Sequence, residues 1–139
     1  RKNSKMNESN IYFRELLSPD RVNFHGSLYG GELYGYFDNA AYIAIKSSYP
    51  KHEFVTISSK TSFLSPPYPG DIFTVKGYIE HEKGSSAVTA HLIGYVERLG
   101  GWAKKHKPPK NGIVAKMSFT FVSVVRKNKE FVKKPIMEN

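Results

Sequence analysis

A chain of 139 residues with 40% hydrophobic and 14% aromatic residues reads as one folded domain, and that aromatic share excludes a disordered chain. It has no cysteine, which excludes a disulfide scaffold, thiolate catalysis and zinc–thiolate sites, and no apolar run reaches the roughly 20 residues a membrane helix needs. The 21 basic and 12 acidic residues leave a charge of +9, which points to an anionic partner: nucleic acid, a membrane surface or a phosphate-bearing small molecule.

Residues 1–10 are polar and aperiodic and are expected to be a disordered tail. The chain opens on Arg1 without a signal-peptide pattern. The expectation is therefore a trimmed chain from an intracellular setting, cytoplasmic or organellar. Ile11 to Leu17 reads as a short strand or a turn of helix, broken by Ser18-Pro19-Asp20. A loop rich in small residues follows from Val22 to Gly31. The spacing then predicts a helix from near Gly31 to about Ser47, ended by Pro50. At 100° per residue Leu33, Tyr34, Phe37, Ala40, Ala41, Ala44 and Ile45 share its apolar face. Asp38 falls about 20° beyond Ile45, at the edge of that face and partly buried.

Four strands follow. Val55, Ile57 and Phe63 alternate with Thr56, Ser58 and Ser62, and a proline-rich turn ends at Asp71. Ile72–Glu80 carries Phe73, Val75 and Ile79 on one face. Lys83-Gly84 makes a tight turn into Ser86–Glu97, which places Val88, Leu92 and Val96 together. A loop from Leu99 to Gly112 carries Trp102, Lys104, Lys105, Lys107 and Lys110. Ile113–Val125 is apolar on both faces, as a strand covered on both sides would be. The fold class is α+β, an antiparallel sheet wrapped around one long helix. One helix cannot cover both faces, so an oligomer is expected. The domain is expected to span 11–126, and residues 127–139 read as a basic tail.

Val22-Asn23-Phe24-His25-Gly26-Ser27-Leu28-Tyr29-Gly30-Gly31, with Asp38 beyond it, is the densest candidate for chemistry. Paired glycines at a helix start let a ligand approach the backbone, and the free N–H groups there suit a phosphate or an oxyanion. A carboxylate beside apolar residues serves as a base near neutral pH, and Asp38, about two turns from the Gly-Gly helix start, is expected to lie near those backbone donors. The same residues also describe a flexible loop followed by a helix carboxylate bonded to local backbone. His25, His52, His81, His91 and His106 lack metal-ligand spacing, so no metal is expected. The lysine-rich loop matches no nucleic-acid module.

The ordered set Asn23-x-x-Gly26-x-x-x-Gly30-Gly31, Asp38, Val55-Thr56, Phe63-x-x-Pro66, Pro69-Gly70-Asp71, Gly84-x-Ser86 and Phe119-x-Phe121-Val122-x-Val124 resembles the hotdog-fold acyl-CoA thioesterases. It covers about three quarters of the chain, and it is less similar to the bacterial 4-hydroxybenzoyl-CoA type. The resemblance implies a helix wrapped by an antiparallel sheet, and a homodimer or higher even oligomer (tetramer or hexamer) with active sites shared between copies. It implies hydrolysis of acyl-CoA to a carboxylic acid and coenzyme A, with no cofactor beyond the coenzyme A of the substrate itself. Asp38 is then the nucleophile or general base, Asn23 comes from the partner copy, and the Gly31 N–H polarises the thioester oxygen. Gly30, Thr56, Gly84, Ser85 and Ser86 line the substrate path, and the basic loop is either solvated or meets coenzyme A phosphates. Tyr29 stands where many members carry His or Phe, and the loop at 99–112 is longer than usual. The alternatives are a non-catalytic acyl-CoA-binding or sensor module on the same fold, and a nucleic-acid binder using the basic loop.

Overall fold

The computed structural model describes residues 2–4, 10–22, 26–27 and 30–138, with residues 2–4, 21, 101 and 102 described by backbone alone. One helix, α1 (Gly30–Ser48), is 19 residues long and about 28 Å from end to end. Among the described residues seven strands accompany it: β1 (Lys2–Ser4), β2 (Asn10–Leu16), β3 (Glu53–Phe63), β4 (Ile72–Glu82), β5 (Ala87–Glu97), β6 (Ile113–Lys127) and β7 (Glu130–Lys133). They form one antiparallel sheet in the order β1-β4-β5-β6-β3, with β2 also pairing with β4 and β7 with β6. This is the expected architecture, and the predicted helix ends agree within one residue.

The helix buries Leu33, Tyr36, Phe37, Ala40, Ala41, Ala44 and Ile45 against the sheet. Three alanines in that list allow close approach of helix to strands. Phe37 packs on Phe73 with ring centroids 6.0 Å apart. Gly94 makes room for this pair, because a Cβ there would lie 2.6 Å from Phe37 Cζ and 2.9 Å from Phe73 Cε1. Tyr36, not Tyr34, is the buried tyrosine. Its ring stacks on Phe13 of β2 at 4.7 Å and its hydroxyl donates to Glu15 Oε2 at 3.0 Å. Strand β2 therefore decides which flank of α1 is covered, and the opposite flank, with Tyr34, Asp38 and Tyr42, is left exposed.

Two expectations about the termini are corrected. Lys2–Ser4 pairs antiparallel with residues 80–82 of β4, from Lys2↔Glu82 to Ser4↔Glu80, so the first ten residues are not wholly unstructured. Residues 127–139 are not a loose tail: β7 forms a hairpin with β6, and Ile136 is fully buried. The Gly84 N–H donates to Ile136 O at 2.8 Å, and the Ile136 N–H donates to Ser85 O at 3.0 Å. Beyond it, His52 lies 3.5 Å from Glu138. Backbone pairing rather than apolar patterning holds this segment down.

A clasp closes the other end of the sheet. Arg98 Nε donates to Asp71 Oδ1 at 2.8 Å and Nη2 to Oδ2 at 2.7 Å, with both side chains almost wholly buried. The Tyr68 N–H donates to Asp71 Oδ2 at 2.9 Å, and Arg98 Nη1 donates to Lys107 O at 3.0 Å. Tyr68 stacks on His106 at 3.7 Å. Hydrogen bonding to Asp71 raises the Arg98 pKa above its ordinary value, so the guanidinium is charged throughout the working range. The clasp ties the 99–112 loop to the proline-rich turn.

Candidate active site

Gly31, Tyr34, Asp38 and Tyr42 stand on one stripe of α1, because seven residues bring a helix back to within about 20° of its starting direction. Beneath the stripe runs β3, antiparallel to the helix. Phe63 meets the helix start, with its Cζ 3.7 Å from a Cβ built on Gly30. The Tyr34 hydroxyl hydrogen-bonds Ser59 Oγ at 2.9 Å. Tyr42 approaches Phe121 at 6.2 Å, and Phe121 is the cross-strand partner of Thr56. Asp38 therefore sits level with residues 56–59. That stretch holds the bulge of β3, where the register slips between Thr56 and Ser58. Bulges recur beside active sites, where they re-aim side chains. The sequence gives no sign of this one.

Asp38 is exposed on the chain taken alone, which corrects the expectation of partial burial. It makes no hydrogen bond or ion pair among the described residues. Gly31 is the second residue of α1, so its N–H lacks a partner within the helix. Seven residues separate the two, which is a rise of about 10.5 Å along the axis. A carbonyl that accepts from the Gly31 N–H is too far along the helix to be attacked by Asp38 of the same chain. The expectation that Asp38 lies near these donors within one chain is corrected accordingly.

Strand β3 pairs only with β6 among the described strands, and its other edge is open. Residues 56–63 are all exposed. Ile57 and Phe63 are 58% and 56% exposed, which is unusual for large apolar side chains on an edge. At the helix start, Ser27, Gly30, Leu33, Phe63 and Pro67 line a cavity of about 340 Å³. A second, mostly apolar cavity of about 680 Å³ lies against Leu16, Leu17, Val22 and Pro69.

The structure brings Gly30, Gly31, Asp38 and Thr56 to one flank. It does not bring Gly84, Ser85 and Ser86 there. Their turn, with Gly84 at φ +92°, lies by the C-terminal end of α1, where His81 Nε2 hydrogen-bonds Ser85 O at 3.0 Å and Tyr49 packs on His81 at 5.4 Å. Asn23, His25 and Tyr29 lie outside the described residues. The other histidines have packing partners: His52 Nδ1 hydrogen-bonds Ser123 Oγ at 2.7 Å, and His106 stacks on Tyr68. Lys104, Lys105 and Lys107 are exposed on the loop that Arg98 anchors. Among the described residues no helix is long and apolar enough to cross a membrane.

The profile of the thioesterase superfamily matches residues 25–93, which include α1, β3 and β4. Among solved structures, the chain is similar to a hexameric hotdog fold thioesterase of Campylobacter jejuni, with 23% identity, 91% of this chain and 89% of that chain covered, and a TM-score of 0.68. It is similar to a hexameric thioesterase from Yersinia pestis, with 20% identity, coverage of 90% and 94%, and a TM-score of 0.68. It is also similar to an acyl-CoA hydrolase from Staphylococcus aureus in complex with butyryl coenzyme A, with 21% identity, coverage of 97% and 69%, and a TM-score of 0.65. These likenesses establish the hotdog fold. No curated protein sequence matches the chain significantly.

Proposed function

We propose that this chain, whose residues 25–93 match the thioesterase superfamily profile, hydrolyses acyl-CoA thioesters at a site built by two copies. The observation that carries the reading is the exposed stripe of α1. It sets a carboxylate without a partner among the described residues two turns from a helix N–H that has no intrahelical partner, beside an open and partly apolar strand edge. Two copies pairing along β3 would cover Ile57 and extend the sheet. The two helices would then run antiparallel, with Gly31 of one copy facing Asp38 of the other. The 10.5 Å separation within one chain is what makes the second copy necessary. Hexameric assembly of the Campylobacter jejuni and Yersinia pestis proteins supports an even oligomer here.

In the reaction the thioester C–S bond breaks. The hydroxyl of water ends on the acyl carbon and its proton on the coenzyme A sulfur. Asp38 either takes the proton from the attacking water or attacks the carbonyl itself, forming an anhydride that water then opens. The Gly31 N–H of the facing copy stabilises the oxyanion. Asn23 of that copy orients the water or holds the carbonyl. Gly30 and Thr56 border the thioester, and the Gly84-Ser85-Ser86 turn meets the far end of the coenzyme. No cofactor takes part.

A thiol-release assay over acyl-CoAs of graded chain length tests this reading. Release of free coenzyme A that disappears in Asp38→Asn is the expected result. Binding of acyl-CoA without release from any member of the series would leave the sensor module as the function.

A further inference from the structure

The face of the sheet turned away from α1 carries a second concave site, which the hydrolysis above does not use. Lys60, Lys76 and Lys116, with Tyr78, His91 and Tyr95, wall a cavity of about 540 Å³. That volume is within the range of small-molecule sites. The register explains the convergence. Lys116 and Lys76 both stand opposite Ile93, one from each side. They are thus two strand spacings apart, about 9.5 Å at their backbones. Lys60 faces Ser118 and Ser62 faces Lys116, so Lys60 and Lys116 are diagonal neighbours about 7–8 Å apart.

Like charges gathered this closely repel one another, and a bound anion would relieve that repulsion. None of the three lysines has an ion pair among the described residues. The nearby acids are engaged elsewhere: Glu80 accepts from His91 Nε2 at 3.0 Å, and Glu97 lies 3.6 Å from Arg14. The aromatic walls are fixed in place. His91 Nδ1 hydrogen-bonds Ser118 Oγ at 3.0 Å, and Tyr78 stacks on His91 at 5.0 Å with planes 26° apart. Lys76 Nζ stands 5.5 Å over the Tyr95 ring. Three lysines and three aromatic rings thus line one cavity.

We propose that this outer sheet face binds a nucleoside polyphosphate, with Lys60, Lys76 and Lys116 holding the phosphates and the base lying against Tyr78 or Tyr95. A mononucleotide matches both halves of the cavity, whereas a simple anion uses only the lysines. The coenzyme A nucleotide carries the same chemistry, so the test must separate the two sources. Strand β3 and the sheet itself lie between this cavity and the Asp38 flank.

Equilibrium dialysis of the full chain with ADP, with pyrophosphate as competitor, measures the site directly. ADP should bind, weaken as salt is raised, and be displaced by pyrophosphate. The double variant Lys76→Glu/Lys116→Glu should weaken ADP binding at least about tenfold while leaving the KM for acyl-CoA within about twofold. Tyr95→Ala should weaken ADP more than pyrophosphate, or Tyr78→Ala should do so if that ring carries the base. The proposal is overturned if ADP does not bind at millimolar concentration. It is equally overturned if coenzyme A competes with ADP one for one and the double variant raises the acyl-CoA KM in parallel, because the face is then the substrate's own nucleotide site. A double variant that changes oligomer size and loses ADP binding together would make this face an interface between copies, which also overturns it.

Discussion

Asp38 and Asp71 are the same side chain in opposite settings. Asp71 is fully buried, with both oxygens engaged by Arg98 and one of them also by the Tyr68 N–H. Asp38 is exposed, with no partner among the described residues. The clasp at Asp71 is closed and needs nothing further. The flank at Asp38 has a strand edge open among the described residues, exposed Ile57 and Phe63, and a helix N–H without an intrahelical partner, so it is unfinished until something covers it. A saturated carboxylate holds the fold, and an unsaturated one in an incomplete setting is available for chemistry.

Removing one charge from each aspartate should separate the two roles. Asp71→Asn keeps the shape but leaves the Arg98 guanidinium buried beside a neutral amide. Breaking a buried pair in this way costs about 3–5 kcal/mol. Urea unfolding should show that loss, and a loss below about 1 kcal/mol would mean that the clasp does not depend on its charges. Asp38→Asn should lower kcat by at least about 10²-fold, the scale of a positioned acid–base group. Its unfolding free energy in urea should change by no more than an ordinary surface substitution does, about 0.5 kcal/mol. Full activity in Asp38→Asn would end the proposed mechanism.

A smaller effect lies at the far end of α1. Burial first, and then the charge of Glu138, raise the Tyr49 pKa above its ordinary value of 10.0. The folded chain thus keeps a proton that the unfolded chain gives up. Its contribution to stability is complete below pH 10 and is lost as the pH rises through the folded pKa. Tyr49→Phe should therefore flatten the fall of Tm between about pH 9 and 11. An identical fall in both proteins would show that the phenol is not held back.

The helix and the core-facing side of strand β6 were legible because their signals are strong. Seventeen residues of helical period end at a proline, and Met117, Phe119 and Phe121 alternate with polar residues. The expected cover on both faces holds only near Val122 and Val124, because Lys116, Ser118 and Thr120 give the rest of β6 a polar outer face. Tyr34 and Tyr36 exchanged places because a helical wheel does not contain β2, whose Phe13 and Glu15 capture Tyr36. Strand β7 and the Ile136 anchor were missed because few apolar residues stand among many lysines there, and the contacts that fix them are backbone hydrogen bonds. Arg98 drew no notice at all, since nothing in the spacing shows that a residue 27 positions after Asp71 returns to it. For the candidate site, the sequence motifs give the residues, and only the helix rise shows that Gly31 and Asp38 of one chain cannot share a carbonyl.

That separation is the center of the account, and subunit mixing tests it most directly. Asp38→Asn and Asn23→Ala, each inactive alone, are mixed in equal amounts and allowed to exchange subunits, with exchange confirmed by mass spectrometry. Half of the randomly formed pairs contain one copy of each, and in every such pair one of the two sites has both residues intact. Activity should therefore recover to about a quarter of wild type. Confirmed exchange with no recovered activity would show that Asp38 and Asn23 act within one chain, which contradicts the shared site.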